Sequence, residues 1–542
     1  MSKFDIVETE LGKVRGVKKV SVLGTSYNAF LGIPYAQAPI GELRFKNPLP
    51  PVKWENIYDA TEEKTGSFGE NFYTKTIIGS EDCLHINIFT KNLQPKNLQP
   101  VMMYVHGGSW LTGSNTMNSL SPDFLLMADV VIVTINYRLG ALGFLSLQDE
   151  SLNVPGNAAM KDQVMAMKFV QKNIRNFGGD PSNCTLFGHS AGGASVSWHC
   201  VSDMSKGLFQ KAIIMSGCVL NKFAFTPQRD WANRLARKLG YTGDNEGGSV
   251  LAFLNQADPV KIVEFQDSLL LPEERGKISL PFAPHIEPYI NSETFNSELP
   301  IDLVRKAWSN DIDILLGVTS DEGLMFLEYY KETPSLLKMV KLENLVPTEL
   351  SVPDDSPIRM SLAEKLKKIY YPSNTNPTED AMAYGQLRGD QTLCHGMQRI
   401  IQSRQHSGKL GKTFYYCFAV DSPTQNHYRN AHLGLGKGVC HADEVSYLFK
   451  STYVDLPDKD SMEFIAITRF VSLFTSFATT GNPNDNVINA QLNNVEWQPV
   501  HTADPPFKSL NIDEELRFEN FPLSERLKVW DWVYHETNTP LY

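Results

Sequence analysis

The chain has no Cys-x-x-Cys pair, no excess of cations, no internal repeat and no low-complexity tract. Its seven cysteines, Cys83, Cys184, Cys200, Cys218, Cys394, Cys417 and Cys440, are odd in number and dispersed, which indicates neither a zinc site nor a redox pair. Several lie in apolar runs such as Tyr415-Tyr416-Cys417-Phe418. Buried free thiols are expected there, and free thiols suit a reducing compartment. The net charge is −11, from 61 acids against 50 bases. That argues against a nucleic-acid partner, because phosphate binding needs a cationic face. No apolar segment of about 18 residues stands out, so no stable membrane insertion is expected. The stretch from Met1 to Glu10 lacks the cationic and apolar regions of a signal peptide, and Asn538–Tyr542 carries no retention or prenylation signal. A cytoplasmic location is therefore expected. One glycosylation sequon, Asn183-Cys184-Thr185, leads straight into a predicted buried strand and reads as accidental.

What is present is an alternation of short apolar runs with helical patterns. Val101–Val105 and Val130–Ile135 read as buried strands, followed by strands at 185–187, 212–215, 312–318 and 413–420. Between the second and third, Met160, Val164, Met167, Val170, Ile174 and Phe177 recur in steps of three and four, which traces one helix face. Gly178-Gly179-Asp180-Pro181 breaks that helix. A long amphipathic helix is expected near 462–477. Apolar strands alternating with helices imply an α/β fold with a large, mostly parallel sheet covered on both faces. The active site of such a sheet lies at the carboxyl ends of its strands. Residues 219–310 and 323–410 read as helical insertions that cap the mouth of the site rather than as separate domains.

The unusual residues fall at those strand ends. Gly188-His189-Ser190-Ala191-Gly192 is a Gly-x-Ser-x-Gly match between a strand and a helix. A strand turning sharply into a helix strains the residue at the bend, and flanking glycines remove the side chains that would clash. The Ser190 hydroxyl then stands above the sheet, where the helix N-terminus favours developing negative charge. A serine needs a base to act as nucleophile, and in the α/β-hydrolase fold the order is serine, acid, histidine. His441, in a loop after the 413–420 strand, is the candidate base, with His427 and His432 as rivals that read as surface loop histidines. The acid that orients the imidazole is Asp321 or Glu322, at the end of the 312–318 strand; neighbouring residues point different ways, and position alone does not choose. His106-Gly107-Gly108-Ser109-Trp110 also follows a strand and resembles the His-Gly-Gly-Gly loop of lipases and esterases. The backbone N–H groups of Gly108, Ser109 and Ala191 are the expected oxyanion donors.

These residues resemble the carboxylesterase/cholinesterase family, the type B carboxylesterases. Gly32–Ala36, Leu43–Phe45, Ser80–Leu84, Asn136–Arg138, Gly143–Leu145, Pro155–Asn157 and Phe177–Pro181 extend the similarity over most of the chain. The resemblance implies one catalytic α/β-hydrolase domain spanning residues 1–542, with helical insertions and no cofactor or metal. It selects Glu322 over Asp321, supports His441, and assigns Ser216 to bracing the acid and base. His189 before the nucleophile is similar to the insect α-esterase group, whose enzymes hydrolyse hydrophobic esters and sequester organophosphates and other ester insecticides. Phe223, Phe282 and Phe326 match pocket positions there, although each also reads as ordinary core.

Three departures matter. No cysteine occurs in 60–82, so the disulfide the family forms with the cysteine matching Cys83 is absent. The stretch Gly69–Tyr73 has no tryptophan where cholinesterases bind choline, which disfavours choline esters. Ser109 replaces a third glycine. The expectation is a serine carboxylesterase acting on hydrophobic esters in xenobiotic detoxification or sequestration. The rivals are a dedicated hormone or lipid-ester esterase and a non-catalytic adhesion protein, the second disfavoured by an intact triad.

Overall fold

In a computed structural model the described residues are 4–542 apart from 72–73, 328–336, 339, 374, 434–436, 486–491 and 493. The fold is built on a 13-stranded sheet. Its strands are β1 (Phe4–Thr9), β2 (Gly12–Val20), β3 (Ser26–Pro34), β4 (Tyr58–Asp59), β5 (His85–Thr90), β6 (Gln99–Val105), β7 (Val131–Ile135), β8 (Gly179–His189), β9 (Lys211–Met215), β10 (Asp313–Thr319), β11 (Thr413–Phe418), β12 (Lys508–Ile512) and β13 (Arg517–Asn520). The spatial order is β1-β2-β3-β5-β7-β6-β8-β9-β10-β11-β12-β13, with β4 paired beside β2. From β7 to β12 every neighbouring pair is parallel. The edges, β1-β2-β3-β5-β7 and β12-β13, are antiparallel.

The parallel centre has the apolar runs the sequence pattern requires. β7, β9 and β11 are buried at every position, as a strand covered on both faces must be. The outermost strands at the N-terminus, β1 and β2, leave no such mark in the sequence. β2, Gly12–Val20, carries four cations and buries only Val14 and Gly16, so it presents no apolar run.

Helices cover both faces. Ala158–Asn173 and the 3-10 turn Ile174–Phe177 reproduce the expected helix, and Gly178 ends it in the left-handed region with φ 85. Met462–Thr480 is long and apolar enough, by length and composition alone, to cross a membrane. Here it is a core helix: Phe470 and Phe474 pack on Tyr416, and Phe477 on Phe414, both residues of β11. The 219–310 insertion holds the helices Trp231–Lys238, Gly247–Gln256, Pro259–Phe265 and Pro300–Arg305, but 270–299 is irregular, so it is less helical than its pattern suggests. The described part of 323–410 carries Pro357–Tyr370, Ala381–Gly389 and His395–His406.

All seven cysteines are free and buried, Cys83 included. The Asn183 amide of the sequon is already engaged, donating to the Thr479 carbonyl at 3.0 Å.

Candidate active site

Four adjacent parallel strands, β6, β8, β9 and β10, end side by side, with β11 next to them. The candidate residues lie at or just beyond those ends. β8 stops at His189, and Ser190 takes φ 59 and ψ −123 before the helix Ala191–Val201 begins. Few residues tolerate that conformation, and the surroundings enforce it. The Ser190 N–H donates to the Met215 carbonyl at 2.8 Å, and the Ser190 carbonyl accepts from Ala194 at 2.8 Å. The turn is so close to β6 that a Cβ on Gly192 would lie 2.0 Å from the Val105 carbonyl oxygen. Gly192 is therefore a close-approach glycine, which is the steric reason for its place in the motif.

The expected nucleophile, base and acid meet in one line. The Ser190 hydroxyl donates to His441 Nε2 at 2.8 Å, and His441 Nδ1 donates to Glu322 Oε2 at 2.6 Å. A carboxylate only accepts, so the proton sits on Nδ1 and leaves Nε2 free for the serine. Ser190 is 9% exposed, His441 5% and Glu322 2%, so the relay is sheltered from water with its serine end the most open.

Glu322 and Asp321 divide their tasks. Glu322 faces the imidazole, and its other oxygen accepts the Thr319 N–H at 2.8 Å. Asp321 turns to the histidine loop, where it accepts the Val439 N–H at 3.2 Å and the Ser320 hydroxyl at 2.7 Å. His427 stacks on Tyr453 away from this line, and the side chain of His432 lies outside the described residues.

The loop after β6 lies against the nucleophile turn: a Cβ on Gly107 would meet the His189 carbonyl oxygen at 2.6 Å. Gly108, Ser109 and Trp110 all have positive φ, at 106, 55 and 56. The left-handed region costs a glycine little and a side chain more, which accounts for glycine being common where Ser109 stands. Among the described residues no acceptor takes the N–H of Gly108 or Ser109. Ala191 opens its helix, so its N–H has no intrahelical acceptor either. His106 holds the base of the loop: its ring stacks on Tyr137 at 4.5 Å, and the Tyr137 hydroxyl donates to the His106 carbonyl at 2.6 Å. Burial lowers the His106 imidazole to about 4, so it is neutral.

Ser216 departs from its expected part. It directly follows β9 with φ 53, and among the described residues its hydroxyl donates to Glu444 at 2.8 Å rather than to Glu322 or His441. Sequence reasoning missed Glu444, which is fully buried. Burial, and next the charge of Glu322, push its carboxyl well above the usual range, which favours its protonated form. His189 lies 3.7 Å from it and 4.5 Å, ring to ring, from His441. Burial, and next the charge of His441, hold His189 well below its ordinary value. A neutral imidazole at that distance does not form an ion pair with Glu444.

Arg429 is a second residue that sequence reasoning missed. It is fully buried, binds Asp421 and the Gly438 carbonyl, and donates to the Ser422 carbonyl at 2.7 Å. Asp443 accepts from the N–H groups of Arg429 at 3.1 Å and Cys440 at 2.7 Å. Together they fix the loop that presents His441. For Asp443 and Glu444 the available signal was a pair of adjacent acids two and three residues after the candidate histidine; Arg429 carried none.

The pocket phenylalanines separate. Phe223 is half-buried, 5.9 Å from the Trp110 ring beside the oxyanion loop. Phe326 is half-buried under the Arg388 guanidinium at 5.3 Å. Phe282 is fully buried in the main core. Among the described residues no cluster of three or more His, Cys, Asp or Glu is placed to hold a metal. Residues 72–73, in the stretch without tryptophan, lie outside the described residues.

The sequence profile of the carboxylesterase family matches residues 3–530. The chain belongs to the carboxylesterase family. This carboxylesterase is 40% identical to Esterase B1 of Culex pipiens over 97% of the chain and 98% of that protein. It is 30% identical to a carboxylic ester hydrolase of Bombus ignitus, covering 98% of the chain and 94% of that protein. Its fold is similar to the crystal structure of juvenile hormone esterase from Manduca sexta, with OTFP covalently attached: TM-score 0.84, 26% identity, covering 98% of the chain and 100% of that structure. The chain is a serine carboxylesterase with an α/β-hydrolase fold, and its reaction is hydrolysis of carboxylic esters.

Proposed function

We propose that this carboxylesterase hydrolyses hydrophobic esters through an acyl-enzyme on Ser190. The unbroken hydrogen-bond line from Ser190 through His441 to Glu322 carries the reading. Ser190 Oγ attacks the ester carbonyl carbon while His441 Nε2 takes its proton, and the imidazolium is stabilised by Glu322. The carbonyl oxygen gains the charge and is met by the N–H groups of Gly108, Ser109 and Ala191. Collapse expels the alcohol, which takes the proton from His441. Water, deprotonated by His441, then attacks the acyl carbon and releases the acid and Ser190. No cofactor enters the cycle.

The half-buried Phe223 beside the oxyanion loop supports an apolar acyl subsite, with Phe326 and Phe282 as its further proposed walls. An organophosphate fits the same chemistry: Ser190 displaces its leaving group and holds a phosphoryl adduct that water resolves slowly. This chemistry, with the likeness of His189 to the insect α-esterase pattern, supports ester-xenobiotic detoxification or sequestration as the role. A dedicated hormone or lipid-ester esterase is the second reading, and the likeness to a juvenile hormone esterase favours it. We also propose one catalytic domain over 1–542 and a reducing, cytoplasmic setting. The single large sheet and the seven free thiols support these readings.

Stopped-flow hydrolysis of 4-nitrophenyl esters of short and longer acyl chains tests the mechanism, with Ser190→Ala as control. A burst followed by steady turnover, absent in the variant, is expected. Equal activity in the variant removes the proposal. Juvenile hormone compared with organophosphates as competing ligands separates the two roles.

A further inference from the structure

The oxyanion donors come from two elements that lie just past the ends of the paired strands β6 and β8, whose ladder stops at Val105 and Gly188. Gly108 and Ser109 belong to the loop after β6, whereas Ala191 opens the nucleophile helix. A buried polar chain joins them. The Trp110 indole N–H donates to Ser195 Oγ at 2.9 Å, and Ser195 Oγ–H donates to the Ala191 carbonyl at 2.8 Å. Trp110 and Ser195 are both fully buried. Trp110 follows Ser109 directly, and Ser195 sits one helical turn beyond Ala191.

The direction of this chain is fixed. An indole N–H only donates, so Ser195 Oγ accepts from Trp110 and spends its own proton on Ala191. Gln163, on the helix Ala158–Asn173, reaches Ser195 Oγ with its amide nitrogen at 3.5 Å. The Gln163 carbonyl oxygen is 2.8 Å from His199 Nε2, and His199 Nδ1 is 2.7 Å from Ser205 Oγ. With Nε2 as donor and Nδ1 as acceptor, every proton runs toward Ser195. His199 and Ser205 are fully buried, and the relay has no exposed nucleophile of its own. Its outlet is the Ala191 carbonyl, on the peptide that follows the Ala191 N–H.

We propose that Trp110 and Ser195 are positioning residues for the oxyanion site, setting the separation between the loop donors and the helix donor. Ser109 and Trp110 are both held in the left-handed region, which costs a side-chain residue energy. The Trp110 carbonyl is fixed by the Gly140 N–H at 2.6 Å, and the indole bond to Ser195 is the one that reaches the nucleophile helix. The inference rests on the acyl-enzyme reading above. It concerns stabilisation of the tetrahedral adduct, not formation of the serine–histidine pair.

The test uses Trp110→Phe, which keeps an apolar ring and deletes the N–H, Ser195→Ala, their double variant, and Ser195→Thr, which keeps a hydroxyl. Two ligands are compared: an alkyl trifluoromethyl ketone, which Ser190 converts to a charged tetrahedral adduct, and the matching methyl ketone, which binds without adding. Losing an oxyanion donor outright costs about a hundred- to a thousand-fold, and displacing one costs less, so a fall in kcat on the order of ten-fold is expected in either single variant. KM and methyl ketone affinity stay near the wild type, and trifluoromethyl ketone affinity falls in step with kcat. The double variant falls no further than the singles, because one tie is cut twice. Ser195→Thr retains activity.

Additive losses, or equal weakening of both ketones, overturn the proposal, as does unchanged kcat in the single variants. Should Trp110→Phe not fold, Ser195→Ala against Ser195→Thr decides the same question, since alanine is well tolerated in a helix. A wild type with no Ser190-dependent burst would instead sink the acyl-enzyme reading itself.

Discussion

Two clusters of one serine, one histidine and one glutamate lie side by side at the carboxyl end of the sheet. In the first, histidine is in the middle: Ser190 donates to His441, which donates to Glu322. In the second, glutamate is in the middle: Ser216 donates to Glu444, and His189 stands 3.7 Å away with its Nε2 unpaired among the described residues. A serine whose proton rests on an imidazole becomes nucleophilic when the imidazole takes that proton. Ser216 is hydrogen-bonded to a carboxyl whose buried setting favours protonation, and no imidazole accepts its proton among the described residues. Access repeats the distinction, since Ser190 is 9% exposed and Ser216 is 0% exposed. Residue types alone do not make a relay; the order of donors and acceptors does.

The comparison breaks most visibly at the two serines. Ser190→Ala should lower kcat by about ten-thousand-fold or more, whereas Ser216→Ala should cost less than about ten-fold in kcat and show mainly as a lower thermal midpoint, on the order of 1–3 kcal/mol for an unpaired buried partner. Steady-state kinetics with a 4-nitrophenyl ester, beside thermal melts, checks both. A Ser216→Ala loss as large as that of Ser190→Ala would make the second cluster part of the chemistry.

The two glutamates sharpen it further. Glu322→Gln should cut kcat by about a thousand- to ten-thousand-fold, because the amide offers no charge to the imidazolium and permits the wrong tautomer. Glu444→Gln keeps the size of the side chain and an acceptor for Ser216, and should change kcat at neutral pH by less than about three-fold. Equal losses in the two variants would show Glu444 to be ionised in the working enzyme.

The smallest effect is in stability against pH. The Glu444 carboxyl is raised in the folded state, by burial first and by Glu322 next. Above the ordinary carboxylate range the unfolded chain releases this proton and the folded chain keeps it. Glu444 therefore subtracts stability progressively as pH rises above about 4.5, until its raised folded value is passed. Glu444→Gln removes that penalty, so its thermal midpoint relative to wild type should rise between pH 5 and pH 8. A difference that stays flat over that window would mean that Glu444 titrates normally.

Some of this is legible in the chain. The strands at 101–105, 130–135, 212–215 and 312–318 match the structure to within about two residues, because two-sided burial leaves near-continuous apolar runs. The third, at 185–187, is the end of the longer β8, whose polar start, Gly179 to Asn183, hides it. β1 and β2 are not legible, since they form a half-exposed antiparallel edge and β2 carries four cations. β3 is buried from Tyr27 to Ile33, but Asn28 and Gly32 interrupt its apolar run. Phe282 sits in the main core, whereas Phe223 lies by the oxyanion loop, and nothing in their neighbouring residues distinguishes them.

By itself the sequence determined the parts whose physics is local. Glycines flanking Ser190, a glycine-rich turn after an apolar strand, and the chain order of serine, acid and histidine each follow from sterics within a few residues. The tertiary structure decided everything that depends on which side chains meet across the sheet. Asp321 and Glu322 are neighbours, yet only the path of the loop 119 residues later makes Glu322 the partner of His441. Ser216 and Glu444 are 228 residues apart, and Trp110 and Ser195 are 85 apart. Such pairs leave no periodicity in the chain; they exist because strand register and helix packing set their distances to within a few tenths of an ångström, which is the scale on which a hydrogen bond is made or lost.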